Sequence, residues 1–148
     1  MITSTIVSHR DRLSFYPSIT SSYISLEKTI YYYTEQFLID YKRSHWVFVR
    51  LSNGGKFSYP KMNDPVVFNN KYNDVFESLS IEAIGICIWI IALGTIAMSE
   101  FKDGDLAEMN NISEYQILLM NYANEHEEWD KIIRVLKSNT IITCSRRT

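Results

Sequence analysis

Apolar side chains recur at helical spacing in several segments of this chain, and at strand spacing around residue 50. Within residues 25–41 they fall three or four positions apart, which predicts an amphipathic helix. Residues 81–98 are apolar on nearly every side and predict a helix buried by other elements, with Ser80 as its N-cap and Glu82 in its first turn. Residues 1–22 show neither period and predict a loop.

Two runs of β-branched and aromatic residues lie between positions 45 and 60, on either side of Asn53-Gly54-Gly55. Asn-Gly between apolar runs predicts a β-hairpin closed by a type I′ turn, which needs positive φ at both central residues. A β-prone run at 65–69 predicts a third antiparallel strand, with Pro65 at its start. Residues 69–77 are polar and predict a turn.

The last third of the chain predicts two more helices after an acidic loop at 100–112. Ser113 and Gln116 form a capping-box pattern, which predicts a helix from residue 114. A last helix is predicted at about 127–137. The fold class is therefore α+β: one domain over residues 1–148, a small antiparallel sheet and about four helices, with frayed ends at 1–8 and 141–148.

Composition excludes several classes of protein. The chain has 148 residues, of which 46% are hydrophobic, and this suffices for one domain with a real core. A net charge of -2 lacks the basic surplus of a general DNA-binding domain and the strong acidity of a DNA mimic. The two cysteines, Cys87 and Cys144, do not make a secreted disulfide framework, although a bond between them stays open.

Location follows from two further features of the sequence. The N-terminus has no basic region followed by an apolar stretch, so no signal peptide is predicted and a cytoplasmic protein is expected. The uncharged run at 83–98 is shorter than the roughly 20 residues of a spanning helix. A buried helix is therefore favoured over a membrane segment.

The residue types of enzyme and metal sites are present without the spacing that those sites need. His9, His45 and His126 fit no zinc motif, and no nucleophile elbow or phosphate-binding loop occurs. Asp103 and Asp105 resemble only a fragment of a calcium loop. The glycines of the hairpin could form an anion-binding nest, but a turn is favoured. We expect no catalytic residue, no cofactor and no metal.

Charge is unevenly distributed along the chain. Residues 1–60 carry a net charge of +3 and residues 61–148 carry -5, and residues 100–130 hold nine acids against Lys102. Such an acidic surface could meet a basic partner, although a solvated face is the favoured interpretation, because acids near helix starts are favourable in any case. The candidate interaction residues are Asp103, Asp105, Glu125, Glu127, Glu128 and Asp130.

Four pieces of the sequence, in order and at compatible spacing, carry a family resemblance. They are Arg12 to Pro17, the hairpin from Trp46 to Pro60, the run 79–86, and the series Tyr115, Tyr122, His126, Glu128 and Ile132. The chain resembles the ArdB/KlcA antirestriction family, which is carried by plasmids and other mobile elements. The family-motif residues, which we expect to be structural, are Trp46, Leu51, Ser52, Asn53, Gly54, Gly55, Pro60, Ser80, Glu82 and Gly85.

The resemblance implies a protein that inhibits type I restriction–modification enzymes and so protects incoming DNA. It implies action by protein interaction without catalysis or cofactor, on the restriction complex or on a host factor that controls it. The chain departs from the family at Arg43-Ser44, where the family has two glycines, and at Lys137, where it has an acid. The sequence determines neither the oligomeric state nor the restriction systems affected.

Two other functions stay open at this point. One is DNA binding through the basic N-terminal half, which is not favoured by the net charge. Its candidate residues are Arg10, Arg12, Lys42, Arg43, Arg50 and Lys56. The other is a small hydrolase with a site that no motif reveals.

Overall fold

A computed structural model describes residues 1–39, 41–43, 45–70 and 74–137. Its strands are β1 (Ser4–Ile6), β2 (Trp46–Leu51), β3 (Lys56–Pro60), β4 (Val66–Asn70) and β5 (Val75–Leu79). Its α-helices are α1 (Tyr23–Phe37), α2 (Ile81–Lys102), α3 (Leu106–Asn124) and α4 (Trp129–Lys137), and a 3₁₀ helix covers His9–Ser14. The α+β class predicted from the sequence is confirmed.

The hairpin of β2 and β3 lies where the sequence predicts it, but its turn is different. The amide of Gly54 donates to the carbonyl of Leu51 at 3.0 Å, and the amide of Leu51 donates to the carbonyl of Gly55 at 2.8 Å. Positive φ occurs at Gly54, with φ of 94°, and not at Asn53. The connection is therefore a three-residue loop with a left-handed glycine, and the predicted type I′ turn is wrong.

The third strand of this sheet comes from the N-terminus. Strand β1 pairs antiparallel with β2, with Ser4 opposite Leu51 and Ile6 opposite Val49, in the order β1-β2-β3. The prediction that residues 65–69 join the hairpin is wrong, because β4 pairs with β5 in a separate two-stranded sheet. The fraying predicted for residues 1–8 is wrong at β1, which is a paired strand. The turn predicted for residues 69–77 is wrong at the end of β4 and the start of β5, which are paired strands too. Residues 141–148 lie outside the described residues.

Helix α2 forms the centre of the core, as the apolar pattern predicts. Its side chains from Ala83 to Leu93 are almost fully buried, and Trp89 donates from its indole nitrogen to the hydroxyl of Ser58 at 2.8 Å. Among the described residues α2 alone is long and apolar enough to cross a membrane, and 78% of its most apolar window is buried within the protein. Burial to this extent is typical of the core helix of a globular domain.

Helix α3 begins eight residues earlier than predicted. The carboxylate of Asp105 accepts a hydrogen bond from the amide of Glu108 at 3.0 Å and caps the helix there. The predicted acidic loop at 100–112 is therefore helical at both ends, and the helix start at 114 is wrong. Gln116 does not close a capping box, because its amide donates to the carbonyl of Ile90 on α2 at 2.9 Å.

Candidate functional site

Polar side chains from distant parts of the chain meet at the N-terminal end of α2. The hydroxyl of Ser80 accepts from the amide of Ala83 at 3.2 Å, and the Oδ1 atom of Asp64 accepts from the amide of Ile81 at 2.7 Å. These bonds satisfy two of the amides that a helix leaves free at its start. The predicted N-cap at Ser80 is confirmed.

Glu128 joins the turn between α3 and α4 to the N-terminal end of α2. One carboxylate oxygen of Glu128 accepts from the amide of Ser80 at 3.0 Å, and the other accepts from the Ser80 hydroxyl. Negative charge at this position also interacts favourably with the dipole of α2. Both oxygens of the Glu128 carboxylate therefore accept hydrogen bonds within the protein.

His126 lies in the turn between α3 and α4, and both of its ring nitrogens form hydrogen bonds. Its Nε2 atom is 2.9 Å from the Oε1 atom of Glu82, and its Nδ1 atom accepts from the amide of Glu128 at 3.0 Å. Since Nδ1 accepts, the proton of the neutral ring is on Nε2 and is donated to Glu82. The hydrogen bond to Glu82 raises the pKa of His126 above its ordinary value of 6.5, against the opposing effect of burial.

An open groove of about 650 Å³ adjoins this cluster. Its floor and walls include the exposed carboxylate of Glu127 and the side chain of Glu125, which accepts from the amide of Ile2 at 2.9 Å. The lining residues are Met1, Ile2, Tyr122, Glu125, His126 and Glu127. Met1 and Ile2, which precede strand β1, therefore lie beside the carboxylates of Glu125 and Glu127.

The six predicted interaction residues do not form one patch. Asp103 and Asp105 lie at the opposite end of α3 from Glu125, and a helix of 19 residues is about 28 Å long. The structure brings together Glu125, Glu127, Glu128 and Asp130, which lie in and after the turn between α3 and α4. Within this group Glu127 and Asp130 are exposed, whereas Glu125 and Glu128 bind backbone amides.

The family-motif residues of the hairpin connect it to its neighbours. Ser52 makes two hydrogen bonds to Thr3, the residue before strand β1: its hydroxyl accepts from the amide of Thr3, and its amide donates to the carbonyl of Thr3. Asn53 donates to the carbonyl of Leu118 on α3 at 2.9 Å and accepts from the amide of Gly55 at 2.9 Å. The amides of Ser52, Gly54 and Gly55 donate to acceptors within the fold, which disfavours an anion-binding nest there.

The remaining family-motif residues are packing residues. A Cβ atom on Gly85 would lie 2.6 Å from the carbonyl oxygen of Ser58, so glycine lets α2 approach β3. Trp46 and Pro60 are paired partners in the β2–β3 register and are both buried, as is Leu51. Glu82 is the exception, since it pairs with His126 at the edge of the groove.

The basic residues considered for DNA binding are only partly together. Arg50 lies opposite Lys56 in the sheet, and the guanidinium of Arg12 lies 5.7 Å from the ring centre of Phe48. The carboxylate of Asp11 is 3.8 Å from Arg50 and offsets part of this charge.

The cluster at His126 offers few means of catalysis. With both nitrogens engaged, the ring is not free to take a proton from a substrate in this arrangement. Among residues 1–39, 41–43, 45–70 and 74–137, no group of three or more His, Cys, Asp or Glu side chains could hold a metal ion. The exposed carboxylates at the groove remain available to a partner.

A second pocket, which no sequence pattern predicted, lies between α1 and the start of β2. Its lining includes Tyr31 and Glu35, which are four positions apart on α1 and therefore share one face of the helix. That spacing was visible in the sequence. The sequence could not reveal that Tyr41, Arg43 and Trp46 line the same pocket as this face.

The fold and these surfaces define a small α+β protein built around a buried helix, with free carboxylates on a groove. The chain belongs to the antirestriction protein family, whose family model matches residues 39–137. The resemblance stated from the sequence is confirmed.

Relatives in Escherichia coli match most of the chain. It is 27% identical to the uncharacterized protein YafX of strain K12 over 140 residues, covering 91% of this chain and 88% of that protein. It is 30% identical to the uncharacterized protein YfjX of the same strain over 116 residues, covering 77% and 72%. It is 26% identical to the antirestriction protein KlcA over 137 residues, covering 91% and 94%.

A solved structure has the same fold. A chain from the structures of the KlcA and ArdB proteins superposes with a TM-score of 0.79 at 24% identity, covering 90% of this chain and 94% of that one. Those two proteins are described as having a novel fold and antirestriction activity against type I DNA restriction systems in vivo but not in vitro.

Proposed function

We propose that this protein inhibits type I restriction–modification systems and so protects incoming unmodified DNA. The observation that carries the proposal is membership of the antirestriction family, with similarity to KlcA along 91% of the chain. The shared fold with KlcA and ArdB, which are active against type I systems in vivo, supports it.

The inhibitor acts in the cytoplasm by contact with another protein and without catalysis. Support for contact comes from Glu127, an exposed carboxylate that lines the groove at His126, and from Asp130, an exposed acid in the first turn of α4. The KlcA and ArdB proteins are active in vivo but not in vitro. That difference favours a partner that a purified restriction reaction lacks, such as a host factor controlling the complex, over the restriction enzyme itself.

Transfer of unmodified plasmid or phage DNA tests the function. A host with an active type I system receives the DNA with and without this protein, and a host lacking the system serves as control. We expect protection to raise transfer in the restricting host and to leave it unchanged in the control. Equal transfer with and without the protein in the restricting host would contradict the proposal.

Charge reversal tests the surface. The double variant Glu127→Lys with Asp130→Lys should lose protection, because steering toward a basic partner depends on the sign of the local charge. The matched control is Asp103→Lys with Glu114→Lys. It also reverses two exposed acids, one at the C-terminal end of α2 and one on α3, away from the groove. Full protection by the first variant, at equal protein levels, would remove the groove from the mechanism.

A further inference from the structure

The second pocket has a volume of about 330 Å³, and none of its described lining residues belongs to the acidic groove. Among the described residues, three aromatic rings, one carboxylate and one guanidinium line it. These residues are Tyr31, Glu35, Tyr41, Arg43 and Trp46. A volume of this size is at the lower end for ligand pockets and has room for a single long side chain.

The rings of the pocket stand nearly perpendicular to one another around Trp46. The ring centres of Tyr31 and Trp46 are 5.2 Å apart at 79°, and those of Tyr41 and Trp46 are 6.4 Å apart at 72°. The indole nitrogen of Trp46 donates to the hydroxyl of Tyr41 at 3.4 Å. Trp46 is 7% exposed, so the core holds the central ring of the pocket in place.

Two acids line up with this pocket along α1. Glu27, Tyr31 and Glu35 follow one another at intervals of four residues and therefore share one face of the helix. Burial raises the pKa of Tyr31, and the charge of Glu27 raises it further, so the phenol stays neutral and the charge of Glu27 acts on a ring that lines the pocket.

A carboxylate among aromatic faces is suited to an organic cation. A ring attracts a cation placed over its face, and a carboxylate at the edge can accept hydrogen bonds from it. Guanidinium fits better than ammonium, because it is planar, weakly hydrated and stacks on aromatic rings. Among the described residues no ion pair joins Glu35 to Arg43, so no close cationic partner occupies the carboxylate there.

We propose that this pocket binds an arginine side chain of a partner protein. The pocket would then supply a specific contact beside the general attraction of the acidic groove. For its biological role this inference rests on the proposed function, but binding itself is a property of the isolated protein and is measured there. Arg43 at the pocket opposes a second cation and so limits its affinity.

Titration with a small probe tests the inference directly. The probe is Nα-acetyl-arginine amide, followed by calorimetry and by the indole NMR signal of Trp46. The neutral isostere Nα-acetyl-citrulline amide and the lysine analogue are the matched controls. We expect saturable binding of the arginine probe, with a dissociation constant on the order of 1 mM for a ligand of this size.

Citrulline should bind at least about fivefold more weakly, because it has no charge to interact with the rings and the carboxylate. Equal binding of citrulline would overturn the inference, since the pocket would then recognise shape alone. Equal binding of the lysine probe would also overturn it, since attraction to any cation would explain the result.

Two surface variants should shift affinity in opposite directions. Glu35→Gln should weaken binding of the arginine probe about two- to fivefold, and Arg43→Gln should strengthen it by a similar factor. Both side chains are exposed, so the fold should tolerate both changes. Glu114→Gln, an exposed acid on α3, is the matched control and should change nothing.

The outcomes for Glu35 and Arg43 separate a cation site from an anion site. Weaker binding in Arg43→Gln, or unchanged binding in Glu35→Gln, would overturn the inference. Tyr31→Leu should abolish binding, and its unfolding midpoint shows whether the domain survives the change.

The inference and the proposed function can fail separately. If the arginine probe binds as described but transfer into a restricting host is unaffected, the pocket stands and the antirestriction function fails. If transfer is protected but the probe does not bind, the function stands and the pocket inference fails.

Discussion

At the scale of single residues, Gly85 determines how closely helix α2 approaches the sheet. An added Cβ would meet the carbonyl oxygen of Ser58 at 2.6 Å and the Cβ atom of Tyr59 at 2.7 Å. The first of these neighbours is backbone, which cannot move aside without disturbing the pairing of β2 and β3. Glycine here serves close packing, since its φ does not require it.

Gly85→Ala should therefore lower the free energy of unfolding. Alanine gains about 1 kcal/mol in helix propensity, but overpacking of a core costs about 1–3 kcal/mol, and contact with backbone favours the upper part of that range. Urea denaturation measures the difference. Ser99→Ala, at an exposed position of the same helix, is the control. Equal or greater stability of Gly85→Ala would show that α2 can move away from β3.

His126 is the second residue whose environment determines its chemistry. Its hydrogen bond to Glu82 favours the protonated ring, and the nearby charges of Glu128 and Glu127 act in the same direction. A pKa raised by folding means that protonation stabilises the folded state. This contribution is full below 6.5, the ordinary value, and is lost as the pH rises through the higher pKa of the folded protein.

NMR titration of the imidazole signals should give a pKa above 6.5 for His126 and a lower one in the variant Glu82→Gln. The variant removes the charge and keeps the size of the side chain, so the main cause of the shift is lost. His9, in the 3₁₀ helix, is the internal reference in the same spectra. An unchanged pKa of His126 in the variant would contradict the role of Glu82.

At the scale of elements, the start of α2 is the point where the turn between α3 and α4 is attached. Glu128 accepts hydrogen bonds from the amide and the hydroxyl of Ser80, 48 positions away. A hydrogen bond to a charged group contributes more than one between neutral groups. The attachment therefore stabilises the helix start and orients the groove at the same time.

Glu128→Ala should lower the free energy of unfolding by about 1–3 kcal/mol, because the amide of Ser80 loses its acceptor. Glu127→Ala is a matched control at the next position, where the side chain is exposed, and should change stability by less than about 0.5 kcal/mol. Thermal or urea denaturation compares the two. Equal effects would mean that Glu128 contributes no more than a surface charge.

At the scale of the whole molecule, one apolar helix organises the core. Helix α2 packs against α1, α3, α4 and strand β3 and is buried along most of its length. A helix that is apolar all round needs such cover on every side, which explains why three other helices surround it. Cys87 lies on this helix with no exposed surface.

Cys87 should react with a thiol reagent only when the domain opens. Burial raises the pKa of its thiol, and the reactive species is the thiolate. In a Cys144→Ser background, labelling should be slow in native buffer and accelerate in urea together with unfolding. Ser99→Cys, at an exposed position of the same helix, should react at once. Rapid labelling of Cys87 in native buffer would contradict a closed core.

Local patterns in the sequence predicted the elements whose causes lie within a few residues. The sequence correctly predicted helix α2 from its apolar run, the N-cap of that helix at Ser80, and the hairpin around Asn53. Periodicity and capping act between positions at most four apart, so they are legible without any knowledge of the rest of the chain. The family resemblance depends on the same short motifs.

The tertiary structure alone decided which distant segments meet. Strand β1 pairs with β2 across 47 positions from Ser4 to Leu51, a contact that no local pattern encodes. Helix α3 continues through the capping-box pattern at Ser113, because packing on α2 and the cap at Asp105 outweigh a local signal worth about 1 kcal/mol. The acidic run at 100–130 is divided for the same reason, since α3 carries its two ends about 28 Å apart.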